Sequence, residues 1–130
     1  MKAANYLLLA TTIFITCISC SHEDRRVRIA DNYYLMKNDL RPGYYLYFQD
    51  GEDFIERVPR RILEYGVDDN YIVVKCLVNE KPEMYIIDRK KDSRKAAPAD
   101  YLLGPYSIEQ FNLLRYPVKE RIQMKPAEFR

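Results

Sequence analysis

Residues 61–88, RILEYGVDDNYIVVKCLVNEKPEMYIID, decide the fold. Residues 61–65 lead into Gly66-Val67-Asp68-Asp69-Asn70, where glycine, aspartate and asparagine supply the positive φ and local side-chain bonds of a tight turn. Residues 71–78 are apolar at most positions and rich in β-branched side chains, which predicts a central strand covered on both sides. Asn79-Glu80-Lys81-Pro82 reads as a second turn, and residues 84–88 as a third strand. Strands joined in sequence by short turns form an antiparallel meander.

The same pattern extends upstream. Tyr33-Tyr34-Leu35-Met36 and Tyr44-Tyr45-Leu46-Tyr47-Phe48 are aromatic strand formers, divided by the turn-like Asn38-Asp39 and Arg41-Pro42-Gly43. Asp50-Gly51 between apolar runs signals a hairpin, with 53–58 as its return strand, ending before Pro59. Downstream, residues 89–100, RKKDSRKAAPAD, read as a solvated charged loop, with an anionic-ligand patch as the alternative. Ser107-Ile108-Glu109-Gln110 has the capping-box spacing, Tyr106 and Phe111 occupy the staple positions, and Ile108, Phe111 and Leu113 or Leu114 form one apolar stripe. Pro117 stops that helix by Tyr116. The tail from Val118 to Arg130 is charged, contains Pro126 and reads as a loose segment, with room for a short strand near Arg121-Ile122-Gln123. The expectation is an α+β domain: an antiparallel β-meander sheet of about five to seven strands with one C-terminal amphipathic helix packed on it.

Ahead of that domain, residues 1–19 carry Lys2 and then an uncharged, largely apolar run ending in Ile18-Ser19, before Cys20. The run is too short for a membrane span, and His22-Glu23-Asp24-Arg25-Arg26 follows at once. A basic start, an apolar middle and small residues before the cut are the layout of a signal peptide. Cys20 directly after Ile-Ser resembles the bacterial lipobox, with Cys17 where that motif usually has leucine. The resemblance implies removal of residues 1–19 and a diacylated, palmitate-bearing lipoprotein cysteine at Cys20. Residues 20–30 then form a flexible tether and 31–130 a single small β-rich domain. Glu23-Asp24 resembles the acidic export signal of some surface lipoproteins; a solvated tether explains the same pair, and both readings stay open. The implied location is the bacterial cell envelope, lipid-anchored to the outer membrane, on its periplasmic side or at the cell surface.

The formal charge is +2 and 48% of the chain is hydrophobic, enough for a core and without the basic excess of a nucleic-acid binder. Of the three cysteines, Cys17 leaves with the signal and Cys20 is lipidated, so Cys76 is a lone thiol and no intrachain disulfide forms. By strand alternation Cys76 shares a face with Ile72, Val74 and Val78, as a small buried hydrophobe. The only histidine, His22, sits in the tether, so no base accompanies the thiol. No internal repeat, glycine-rich phosphate loop or low-complexity tract is present.

Ile62-x-Glu64-Tyr65-Gly66-x-Asp68-Asp69-x-Tyr71-Ile72-Val73-x-Lys75, Tyr85-Ile86-Ile87-Asp88 and Gly104-Pro105-Tyr106-Ser107-x-Glu109-x-Phe111 resemble the motifs of an uncharacterised family of small exported bacterial lipoproteins that share a domain of unknown function. The likeness runs from about Tyr33 to Arg115. The family's Tyr-Gly-Pro-Leu before the helix is here Leu103-Gly104-Pro105-Tyr106, and the 89–100 loop is longer than the family's. The resemblance implies a fold and an address. It transfers no catalytic residue and no cofactor.

The candidate sites are few. Asp68 and Asp69 offer oxygens to a hard cation, but calcium loops bring more acids at alternating positions, and turn chemistry explains Asp-Asp-Asn without a metal. Glu64 with Asp88 or Glu83 offers a carboxylate pair for acid–base work. Arg57, Arg60 and Arg61 would grip a carboxylate or phosphate if they converged. Twelve tyrosines with no tryptophan is the compositional oddity. Tyr33, Tyr34, Tyr44, Tyr45 and Tyr47 fall on two adjacent strands, and those turned outward form the candidate binding surface. The functional expectation is a non-catalytic binding or interaction module that meets an envelope protein or glycan, with no cofactor and no nucleic acid. The alternatives are an enzyme acting on envelope or extracellular polymers, and a structural subunit of an envelope complex.

Overall fold

The computed structural model describes residues 26–38, 40–114 and 122–128. Along the chain it forms β1 (Arg26–Ala30), β2 (Tyr33–Asn38), β3 (Arg41–Asp50), β4 (Asp53–Glu56), β5 (Ile62–Val67), β6 (Tyr71–Val78), β7 (Lys81–Asp88), α1 (Pro98–Tyr101), β8 (Leu102–Tyr106), α2 (Ile108–Leu113) and β9 (Lys125–Pro126). The strands build one sheet in the order β1-β2-β3-β5-β6-β7-β8, with β4 beside β3 and β9 beside β5. Every pairing is antiparallel.

The meander stands where the sequence puts it. Residues Tyr71–Val78 are β6, paired with β7 from Tyr71↔Asp88 to Val78↔Lys81. The loop between them is Asn79-Glu80, both at positive φ, as a two-residue primed hairpin turn requires. Two other turns are shifted from expectation. Gly66 and Val67 belong to β5, and the turn proper is Asp68-Asp69-Asn70. Asp68 Oδ1 accepts from the backbone N–H groups of Asn70 at 2.8 Å and Tyr71 at 2.6 Å, so this aspartate is a turn-former. Arg41-Pro42-Gly43 opens β3 rather than breaking the chain, with Gly43 at φ 90°. The β3–β4 hairpin pairs Asp50 with Asp53, which leaves Gly51-Glu52 as its loop.

Three parts of the sequence reading are corrected. The domain is mostly antiparallel β, with nine strands among the described residues. The single packed helix of the α+β expectation is a six-residue α2 joined by a four-residue α1; neither makes a layer. The fold also begins earlier than residue 31, because Arg26–Ala30 is an edge strand in which Val27 pairs with Leu35; residues 20–25 of the expected tether lie outside the described residues. The late strand is Lys125–Pro126 against Glu64 and Tyr65, and Arg121 of the expected 121–123 strand lies outside the described residues. Residues 1–19 and 115–120 are likewise outside them, and with them the expected lipidation site Cys20 and the expected helix stop Pro117.

The α2 cap forms as its spacing predicts. Gln110 N–H donates to Ser107 Oγ at 3.1 Å, and Ser107 N–H to Gln110 Oε1 at 2.9 Å. The helix ends at Leu113, where Leu114 is already extended.

Curvature places the core. Tyr33, Leu35, Tyr44, Leu46, Ile62, Ile72, Val74, Cys76, Tyr85 and Ile87 lie in one buried cluster. The sheet therefore wraps round until the inner face of β2–β3 meets that of β6–β7. Leu35 and Leu46, directly paired and fully buried, are each worth about 1.5–3 kcal/mol of hydrophobic burial. The other face of β6–β7 carries Val73, Met84 and Ile86, covered by Ile108, Phe111 and Leu114 around α2 and by Ile122 and Met124 of the tail. This is why β6 is apolar on both sides. Strands β3 and β5 touch only at Tyr44↔Ile62 and then diverge. β4 takes the edge that β3 leaves open, and β9 that of β5.

Candidate functional site

The five tyrosines do not share an outward surface. Tyr33, Tyr44 and Tyr45 are buried at 2%, 8% and 7% exposure, which corrects the expected binding surface at those positions. Tyr33 and Tyr44 alternate with Tyr34 and Tyr45 along their strands and turn into the inner core. Tyr45 faces outward but lies beneath Arg41, whose guanidinium sits 3.8 Å from the ring centroid. Tyr34 and Tyr47, opposite each other across β2–β3, stay half-buried.

Tyr33 instead leads to the principal polar feature of the interior. Its hydroxyl donates to Asp92 Oδ2 at 2.8 Å. Asp92 Oδ1 faces Arg57 Nη2 at 3.0 Å, with the two side chains 0% and 4% exposed. Arg57 also donates to the Ser93 carbonyl at 2.9 Å and the Tyr101 hydroxyl at 3.3 Å. Its guanidinium lies 5.0 Å from the Phe48 ring and 4.6 Å from that of Tyr101. Burial lifts the Asp92 carboxyl above its ordinary pKa, against the lowering effects of the Tyr33 hydrogen bond and the Arg57 charge. Burial, then the bond to Asp92, pushes the Tyr33 phenol up. Arg57 Nε and Asp92 Oδ1 are buried without an aligned hydrogen-bond partner. A pair of this kind adds little net stability over apolar packing, whereas breaking it strands a charge.

The network acts as a clamp. Asp92 and Ser93 belong to the loop after β7, and Arg57 follows β4, so the charged loop is pinned across the sheet. Outside, Arg94 reinforces it with bonds to Asp50 at 3.1 Å and Asp53 at 3.2 Å, exposed pairs worth up to about 1 kcal/mol each. The sequence reading took this loop as solvated throughout. Asp92 was hidden because one of two acids among five basic residues in RKKDSRKAAPAD carries no periodic signal.

The remaining candidates are held apart. Arg60 and Arg61 are exposed while Arg57 is buried, so the three arginines do not converge. Glu64 pairs with Lys75 at 3.0 Å on the outer side of β5–β6. Glu83 lies opposite Cys76 on the inner side, and Asp88 pairs with Lys91 at 4.0 Å at the strand end. The three carboxylates therefore do not face one another. Cys76 is fully buried beside Ile72 and Val74 as alternation predicts. Burial, reinforced by the Glu83 charge, pushes its thiol up to about 12, which keeps it protonated at neutral pH.

Two surface features lie along β1. At the end of β1, a groove of about 620 Å³ is lined by Arg28 to Asp31, by Tyr65 to Asp69, and by Arg89, Gln123 and Lys125. Cations and carboxylates line it together: Arg28 meets Asp31 at 3.1 Å and Arg89 meets Asp31 at 3.9 Å. Arg89 also donates to the Asp68 carbonyl, which fixes the turn. Gly66 forms part of the floor because the tail crosses it: a Cβ there would stand 2.0 Å from Ile122 Cγ2 and 3.1 Å from the Gln123 carbonyl. The second feature is a cleft of about 340 Å³ on the outer face of β1–β4, lined by Arg26, Arg28, Tyr34, Gln49 and Phe54. Tyr34 meets Phe54 edge-to-face at 5.5 Å, and Arg26 lies over the Phe54 ring at 5.3 Å.

Comparison with known protein families, with curated proteins and with solved structures finds no match to this chain. Among the described residues no helix is long and apolar enough to cross a membrane.

Proposed function

We propose that the protein is a lipid-anchored lipoprotein of the bacterial cell envelope whose domain binds an envelope glycan, without catalysis, in the groove between β1 and the β5–β6 turn. The signal-like start, the lipobox-like Ile18-Ser19-Cys20 and the motif likeness to exported lipoproteins support the anchor and the address. The observation that carries the binding reading is the lining of the groove. Guanidinium and ammonium donors (Arg28, Arg89, Lys125) and carboxylate acceptors (Asp31, Asp69) line it together with Tyr65. Sugar hydroxyls donate and accept together, and their apolar faces lie on aromatic rings, so this lining suits a saccharide. A protein hot spot asks instead for a deep apolar pocket. Catalysis on a polymer would ask for two facing carboxylates, whereas Glu64, Glu83 and Asp88 have separate neighbours and Asp68 holds its turn.

The test is co-sedimentation of the purified full protein with protein-free peptidoglycan sacculi. Wild-type protein is expected in the pellet. Swapping the rim charges, Asp69→Lys with Lys125→Glu, is expected to weaken binding on the order of tenfold by removing two charged hydrogen-bonding partners, with the circular dichroism unchanged. Equal sedimentation of both proteins, or none of the wild type, would refute the groove as a sacculus site.

A further inference from the structure

The cleft on the outer face of β1–β4 differs in chemistry from the glycan groove. Among the described residues its lining is two arginines, an amide and two aromatic rings. Arg28 is shared with the groove, where it meets Asp31 at 3.1 Å. Both arginines are exposed, and both rings and Gln49 are half-buried. Along β1, Arg26 and Arg28 stand on the same side, with Arg28 opposite Tyr34 and Arg26 opposite Met36. The chain supplies the second observation. Arg26, the first described residue, is six positions after Cys20, and six residues reach at most about 20 Å when fully extended.

We infer that this outer face of β1–β4 rests on the anionic phospholipid surface of the membrane that holds Cys20. The inference rests on the lipid-anchor reading of the proposed function. A tether of that length keeps the Arg26 end of β1 within reach of the headgroups wherever the domain tumbles. Guanidinium groups attract lipid phosphates, and half-buried tyrosine and phenylalanine rings suit the headgroup level. Acyl chains combined with a basic patch are also the usual two-signal route to stable attachment. The glycan groove opens toward the Asp31 end of β1 and shares Arg28 with this face.

The chain has no tryptophan, so Phe54→Trp is a unique fluorescent reporter on this face, Tyr34→Trp a second, and the exposed Leu113→Trp on α2 a control. The full lipidated protein is reconstituted into phosphatidylcholine vesicles with or without phosphatidylglycerol. Flotation reports the anchor, and tryptophan emission reports the face. With phosphatidylglycerol, both face reporters are expected to shift to the blue and to be quenched by shallow brominated lipids. High salt, or Arg26→Glu with Arg28→Glu, should abolish the shift, and the Leu113→Trp control should stay water-exposed. Protein that floats with both vesicle types while the face reporters keep a water-exposed spectrum would overturn the inference and leave the anchor standing. Failure to float with either vesicle would overturn the anchor reading and this inference with it. An equal shift produced by soluble polygalacturonate without vesicles would assign the face to an acidic glycan and overturn the membrane assignment.

Discussion

Replacing Asp92 with alanine is expected to destabilise the domain by about 3–5 kcal/mol, a large part of the stability of a domain this size. The carboxylate is the counter-charge of Arg57, and both side chains are almost completely removed from water. Without it, a guanidinium stays buried with only the Ser93 carbonyl and the Tyr101 hydroxyl to accept from it. Tyr33 loses its acceptor at the same time. Urea unfolding of wild type, Asp92→Ala and a double variant that also carries Arg57→Met separates the causes. The double variant is expected to recover much of the loss, because the uncompensated charge leaves with the arginine. If Asp92→Ala unfolded at the wild-type midpoint, the clamp would have no energetic role.

The second large effect is expected at Gly66. Valine there drives a side chain into Ile122 and against the Gln123 carbonyl. Overpacking of this kind costs about 1–3 kcal/mol, and the strain is relieved if the tail lifts off β5. The tail holds on through the Glu64↔Pro126 and Tyr65↔Lys125 pairings and the Ala127 N–H bond to the Leu63 carbonyl at 2.8 Å. Lifting it removes Gln123 and Lys125 from the groove wall, so Gly66→Val is expected to lose glycan binding as well as stability. Hydrogen exchange is the appropriate readout. Faster exchange at Ala127, with β6 still protected, supports the account; unchanged exchange at Ala127 counts against it.

These two positions also show what the sequence made legible and what it did not. The central meander was readable because hydrophobic periodicity and turn residues agreed on it: Tyr71–Val78 is apolar on both faces, and Asn-Glu closes the next turn. The α2 cap was readable because Ser107 and Gln110 act through local geometry alone. The clamp was not, since Arg57 and Asp92 are thirty-five positions apart and look like ordinary surface charges until the sheet curls. Gly66 looked like a turn glycine, whereas its neighbours in space come from the tail, more than fifty residues later. β1 was lost in a charged stretch because an edge strand buries only one weak row of side chains.

Composition misled in one respect. A run of tyrosines on paired strands suggested a continuous outward surface, yet strand alternation sent Tyr33 and Tyr44 into the core and Arg41 covered Tyr45. Of the surface aromatics that remain, Tyr34 stands opposite Arg28 and Phe54 lies under Arg26. The groove at the end of β1 was equally invisible, because its lining comes from four separate segments of the chain.

The central claim, that the groove holds an envelope glycan, is tested most directly by site-specific photo-cross-linking in living cells. A photoreactive side chain at Asp69 or Lys125 is compared with one at Leu113 on α2. The account predicts a heterogeneous high-mass adduct from the two groove positions only, which collapses to a single band after digestion with lysozyme. A discrete adduct from the groove positions that resists lysozyme and disappears with protease would contradict it, and would make the protein a partner-binding subunit instead.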